Sequence, residues 1–265
     1  MIRCLLTTLC ISLFMPILAK NTSVFESSQL SKFAKKVLPK RVSYFSAVDG
    51  PRLTGKSSAS SFNQIALRWD TPSADHEFVV NNQFLANHTP SDGDKRYILI
   101  DPWFGVRGQW FKFGNLSAFG TMDTLTPLTR LKDTREQGIL FNPGGFNIIN
   151  YQVNDDFSFG GYLIFRTYIY GRKTTLEDKR SNFLVAPSAN YNVNSWFTTS
   201  VFYQFNGETD QNYKTSIFED DSLNFMQTFK INKFLTFEPR LTFFRESNFN
   251  IDKGSFNIWL SGMVF

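Results

Sequence analysis

The chain is short of cysteine, histidine, charge and long apolar runs. Its only cysteines, Cys4 and Cys10, lie in the first ten positions, so no disulfide framework or cysteine metal site is expected beyond them. Two histidines, His76 and His88, leave little for imidazole chemistry. Charged residues are 19% of the sequence, and the formal charge of +5 reflects few acids more than many bases. A basic nucleic-acid binder would carry more Lys and Arg, so no nucleic-acid partner is expected. Mean hydropathy is −0.22 and one long apolar run occurs, which excludes a bundle of membrane helices. Against these shortages stands an aromatic content of 17%, with 30 Phe, too high for a disordered chain.

The one apolar run is N-terminal. Met1-Ile2-Arg3 is a short basic start, Leu5 to Leu18 is apolar, and Ala19 suits the last position before a cut. This layout predicts a cleaved secretory signal over residues 1–19, too short to span a bilayer as a helix. Thr8-Leu9 before Cys10 does not suit a lipoprotein. Cleavage would remove both cysteines, so stability must come from a sizeable core or a closed sheet. Residues 20–40 predict a short amphipathic helix and linker. Val24, Leu30, Phe33, Val37 and Leu38 recur at roughly helical spacing, Lys32, Lys35 and Lys36 lie mostly opposite, and Pro39 ends the run. Such a helix is expected to pack on the end of the main domain; a pore plug and a helix lying on anionic lipid are the alternatives.

From Arg41 the helical period gives way to a period of two. Leu235, Phe237, Pro239, Leu241 and Phe243 alternate with Thr236, Glu238, Arg240 and Thr242. Ile65, Leu67 and Trp69 alternate with Gln64, Ala66 and Arg68. Phe197, Thr199, Val201, Tyr203 and Phe205 share one face of a third run. Twelve strands are predicted, at 41–48, 61–69, 78–86, 96–106, 111–121, 146–152, 157–170, 182–191, 196–206, 222–230, 233–245 and 256–265. Many match the length of a strand that crosses a bilayer at a tilt. No charge occurs from Ser181 to Gly207, yet Asn182, Asn190, Asn192, Asn194 and Asn206 rule out a membrane helix there.

Connections alternate in length. The long ones are 49–60, 87–95, 122–145, 171–181, 207–221 and 246–255; most of the others are tight, with 70–77 the exception. A weak repeat marks the tight side. Tyr151-Gln152-Val153-Asn154 resembles Tyr191-Asn192-Val193-Asn194, and Ile231-Asn232 is a shortened third copy. Each period holds two long strands, so the unit is a hairpin with Asn in its turn, not a propeller blade.

The chain ends in Trp259-Leu260-Ser261-Gly262-Met263-Val264-Phe265. A terminal Phe closing an alternating aromatic strand resembles the C-terminal signature of bacterial outer-membrane β-barrel proteins. Met263 stands where a second aromatic is usual. The resemblance implies an all-β fold, a transmembrane antiparallel up-and-down β-barrel of about twelve strands over 41–265. It also implies short periplasmic turns, longer outer loops and a location in the outer membrane of a Gram-negative bacterium. Trp259, Met263 and Phe265 would carry the assembly signal. The implied partners are outer-membrane lipid, the barrel assembly machinery and periplasmic chaperones. No specific porin family and no oligomeric state follow. An autotransporter translocator is not expected, since the helix at Val24 begins soon after the cut and leaves no room for a passenger. A soluble β-sandwich would also consume aromatics, but it would not explain the terminal Phe, the loop asymmetry and the missing cysteine together.

Twelve-stranded barrels include lipid hydrolases that use His with Ser, Asn or Asp, but neither Asp75-His76-Glu77 nor Asn87-His88-Thr89 has their local context. No catalysis is expected. Asp155-Asp156 and Glu219-Asp220-Asp221 lack the spacing of a Ca²⁺ loop, so no metal or cofactor is expected. What remains is the lumen. A lipid-facing Arg near the bilayer midplane costs about 2–4 kcal/mol, so strand charges should point inward. This places Arg68, Asp101, Arg107, Arg166, Lys230, Glu238 and Arg240 along the bore, five cations against two acids. The pattern suits a porin-like channel for passive diffusion of small, preferentially anionic solutes, with Arg166 and Arg240 carrying most of the preference. A closed barrel filled by ion pairs, Glu238 with Arg240 among them, is the alternative.

Overall fold

The structure is a computed structural model, and it describes residues 38–52, 59–73, 75–88, 96–126, 137–218, 221–250 and 253–263. The expected signal sequence over 1–19, the expected amphipathic helix up to residue 37, and Phe265 lie outside the described residues.

The chain forms β1 (Arg41–Arg52), β2 (Ser60–Asp70), β3 (His76–Asn87), β4 (Tyr97–Phe113), β5 (Leu116–Leu125), β6 (Ile139–Gln152), β7 (Phe157–Thr167) and β8 (Ile169–Tyr170). It continues with β9 (Lys179–Asn192), β10 (Phe197–Asp210), β11 (Thr215–Ile217), β12 (Ser222–Asn232), β13 (Leu235–Phe244) and β14 (Ser255–Met263). Twelve are barrel staves. The short β8 follows β7 and pairs with β6, and β11 pairs with the upper end of β10. Each stave is antiparallel to its neighbours, β9 pairs β10, and β14 pairs β1 from Ser43↔Met263 to Asp49↔Asn257. The ring therefore closes, and no stave keeps a free edge.

One end carries the connections 71–75, 114–115, 153–156, 193–196 and 233–234; the other carries 53–59, 88–96, 126–138, 171–178, 211–221 and 245–254. The tight turns are set by asparagine. Asn154 Oδ1 accepts the N–H groups of Asp156 and Phe157 at 3.0 and 2.8 Å, and Asn194 Oδ1 those of Trp196 and Phe197 at 3.0 and 2.9 Å. Asn232 Oδ1 takes the Phe234 N–H at 2.7 Å. The sequence repeat is thus an asparagine-capped turn, used in full twice and shortened to two residues at 233–234. Gly114, at φ +54°, fills the left-handed position of the 114–115 turn.

The limits of β4, β5 and β6 differ most from expectation. β4 runs on through Arg107 to Phe113, because a bulge between Gln109 and Phe111 absorbs one residue without breaking the ladder. β5 accordingly starts later, at Leu116, and continues to Leu125. β6 begins at Ile139 and carries Pro143-Gly144-Gly145 inside it. The sequence places the strand start just after these residues, at 146, yet the ladder to β5 and β7 passes through them.

Alternation sorts the side chains into two faces. On β13, Phe237 and Leu241 are outward, with Phe237 stacked on Phe229 of β12 at 6.3 Å and Phe229 on Phe197 of β10 at 4.9 Å. Many of the large exposed apolar side chains, such as Phe159, Phe165, Phe225 and Phe256, belong to this outer face. A solvent-exposed apolar wall of this extent needs an apolar surrounding.

Candidate functional site

The inner faces of the staves enclose a cavity of about 850 Å³. It reaches the short-turn end, where Lys233 and Phe234 line it, and extends up to Asp49, Leu125 and Arg240. Its charged lining is five cations, Arg68, Arg107, Arg166, Lys233 and Arg240, against two acids, Asp49 and Asp123.

Four of the seven residues read from sequence as inward, Arg68, Arg107, Arg166 and Arg240, line this cavity. Glu238 and Lys230 share its parity: Glu238 lies opposite Trp259, and Lys230 lies opposite Thr236 near the short-turn end. Asp101 sits at a second bulge, between the pairs Asn81↔Trp103 and Gln83↔Ile100, and is buried. Of the terminal residues, Trp259 and Met263 belong to β14, and both line the lumen.

Sequence reasoning missed Asp49, Asp123, Lys233 and Glu77. Each lies outside or at the very end of an expected strand; the structure puts Asp49, Asp123 and Glu77 inside strands and Lys233 in the turn between β12 and β13. On an inner face a charge continues the strand. The signal was the parity: Asp49 continues Phe45 and Ala47, and Asp123 continues Phe119 and Thr121.

The four arginines are held in two different ways. Asp123, Gly144 and Arg166 lie side by side on β5, β6 and β7, through the register pairs Asp123↔Gly144 and Gly144↔Arg166. A Cβ on Gly144 would come within 2.6 Å of Arg166 Cγ. The missing side chain lets Arg166 reach two strands across to Asp123, with an N–O distance of 2.7 Å. Thr121 donates to the other oxygen of Asp123 at 2.7 Å, and Arg166 also donates to the Asn142 carbonyl at 3.2 Å. Arg68 is arranged similarly. It donates to Ser43 Oγ at 2.6 Å and lies 3.7 Å from Glu77, which also pairs with Arg41.

Arg107 and Arg240 make no ion pair with any described residue. Arg107 lies over the Phe119 ring at 4.9 Å. Arg240 lies over Trp259 at 4.5 Å and within 5.9 Å of Phe202. Glu238, expected as a partner for Arg240, instead accepts the Thr228 hydroxyl at 2.9 Å.

Above Arg240 the inner face is polar and closely packed. Thr242 donates to Asn224 Oδ1 at 2.8 Å, and Asn257 donates to Thr242 Oγ1 at 3.0 Å. Outside the lumen, His88 contacts Ser61 Oγ at 2.9 Å and His76 contacts Ser73 Oγ at 3.0 Å. Among the described residues no group of three His, Cys, Asp or Glu is placed to hold a metal.

No protein-family model matches the chain, and no curated protein matches it. Solved structures do. The COG4313 outer membrane channel from Pseudomonas putida F1 superposes with a TM-score of 0.50 at 7% identity, covering 85% of this chain and 95% of that one. The NanC porin gives 0.49 at 10% identity, with 84% and 98% covered. The KdgM porin gives 0.45 at 8% identity, with 84% and 98% covered. The chain thus shares the closed antiparallel barrel fold of a bacterial outer-membrane channel.

Proposed function

We infer that this chain is an outer-membrane channel of a Gram-negative bacterium, not an enzyme, and that it passes small solutes by diffusion with a mild preference for anions. The observation that carries the reading is the cavity wall, with five cations against two acids. Low-dielectric walls focus such an excess, so the local anion concentration rises. The apolar outer face supports a bilayer as the surrounding medium, and a closed strand ladder satisfies the backbone there. Strand charge on the inner face is what a lipid-exposed barrel demands.

Reversal potentials across planar bilayers holding the refolded chain test this. In a dilute KCl gradient the potential should lie on the chloride side. It should move toward neutrality in concentrated salt, where screening shortens to about 3 Å at 1 M. A cation-side potential overturns the anion preference, and absence of any conductance overturns the channel. A second reading, a closed barrel with a structural or surface-binding role, draws on the packed Asn224–Thr242–Asn257 network above Arg240. Absence of conductance would favour it.

A further inference from the structure

Around the lumen, five aromatic rings and one guanidinium, drawn from six of the eight staves between β1 and β6, form an arc of contacts in which Phe202 is buried behind the cavity wall. Phe45 of β1 meets Trp259 of β14 edge-on at 5.7 Å. Trp259 carries Arg240 of β13 on its face at 4.5 Å, and Arg240 reaches Phe202 of β10 at 5.9 Å. Phe202 meets Tyr162 of β7 at 5.8 Å, and Tyr162 meets Phe146 of β6 at 5.8 Å. A pore built only to pass hydrated ions gains nothing from such a wall, since porin interiors are polar.

Arg240 is the only cation in this arc, and its bonding is incomplete. Its Nε is buried and has no hydrogen-bond partner among the described residues. The rings take the faces of the guanidinium, which leaves its N–H edge for an acceptor. Asp49 is the acid of the nearest cross-strand row, but it stands two staves away, through Asp49↔Asn257 and Asn257↔Arg240, and no ion pair joins them. The Tyr162 hydroxyl is already committed to Gln204 Oε1 at 2.7 Å, so Tyr162 offers its ring and not its oxygen.

We propose that this arc binds a planar aromatic carboxylate of the benzoate type, with the carboxylate on the Arg240 edge and the ring against the aromatic wall. The proposal deepens the channel reading and rests on it. A carboxylate satisfies the planar donor edge better than a halide does. An aromatic body makes edge-to-face and stacked contacts that an alkyl acid forfeits. The cavity of about 850 Å³ lies within the size range of ordinary ligand sites.

The test uses the full mature chain refolded into planar bilayers in KCl. Benzoate, cyclohexanecarboxylate and acetate are each titrated against the chloride current. Benzoate should depress the current at roughly one-tenth the concentration of acetate, the factor that one good ring contact supplies. Cyclohexanecarboxylate should fall between them. Arg240→Gln should abolish benzoate block, and Trp259→Leu should bring benzoate close to cyclohexanecarboxylate. Equal potency of the three acids on a conducting channel overturns the site and leaves the channel standing. If the chain conducts nothing, the channel reading fails by itself, and tryptophan fluorescence of the refolded chain decides the site. Saturable quenching by benzoate, absent with acetate, supports it; no saturable change overturns it. Should Arg240→Gln not refold, the three-acid comparison on the unaltered chain decides the site by itself.

Discussion

The two sides of the lumen solve the same problem differently. On the β5–β7 side, Arg166 is neutralised by Asp123 at 2.7 Å, and the Asp123 side chain is 1% exposed. On the β10–β14 side, Arg240 rests on Trp259 and Phe202 with no acid at contact distance among the described residues. Sequence parity gave both arginines equal weight in selectivity. Geometry separates them: a cation in a tight pair contributes little net field, whereas a cation on an aromatic face keeps its charge. Arg166 thus holds the wall together, and Arg240 is the cation on which the proposed preference for anions rests.

The largest effect expected from this difference is on stability. Asp123→Asn leaves Arg166 buried without its counter-charge, and breaking a buried pair by removing one partner costs about 3–5 kcal/mol. The temperature at which the heat-resistant band unfolds in detergent gels should fall clearly. Arg240→Gln should shift that temperature much less, since it strands no acid at contact distance. Equal shifts in the two variants would mean that the two sides are not different after all.

A smaller effect isolates the geometry of the pair from its charge. Gly144→Ala keeps both charges but puts a Cβ within 2.1 Å of the Phe165 carbonyl and 2.6 Å of Arg166 Cγ. Something must move, and overpacking of this kind costs about 1–3 kcal/mol. The loss of melting temperature should lie below that of Asp123→Asn. A fully tolerated alanine would show that Arg166 does not need the gap.

How much of this was legible in the sequence follows from which face a residue occupies. The outer face is a solvent-transfer problem, and period-two apolar runs such as Leu235 to Phe243 report it directly. The tight turns were legible because a single Asn side chain, at 154, 194 and 232, supplies the turn's hydrogen bonds locally. The lumen was legible in direction but not in pairing. Arg68, Arg166 and Arg240 were placed by parity alone, but Arg166 meets Asp123 through a glycine on the strand between them. That contact depends on register across three strands, which no local pattern encodes. Strand ends were lost for a related reason. A charge such as Asp49 or Asp123 ends a lipid-facing run but continues a lumen-facing one, and composition does not tell the two apart.

The smallest effect extends the comparison to a pair that water reaches. Six residues beyond Arg166, in the loop between β8 and β9, Arg172 holds Asp178 through two bonds of 2.7 and 2.6 Å. The Asp178 carboxylate also accepts the Thr175 N–H at 2.6 Å, and Arg172 donates to the Gln137 carbonyl of the 126–138 loop at 2.9 Å. The Arg172 hydrogen bonds first, and then that of the Thr175 amide, hold the Asp178 carboxyl well below the usual carboxylate range. Its folded value is depressed, so its contribution is fully present above the ordinary aspartate value of about 4 and is lost as pH falls through the lower folded value. The loop contact should therefore persist through mildly acid pH and weaken only in strong acid. The Thr175 amide proton shift, followed by NMR in detergent, should titrate with a midpoint well below the ordinary value, and Arg172→Gln should move that midpoint up toward it. Because the pair is solvated, the same variant should leave the unfolding temperature of the barrel nearly unchanged. A midpoint near the ordinary aspartate value in the unaltered chain would show that Arg172 and Asp178 do not hold the loop as paired.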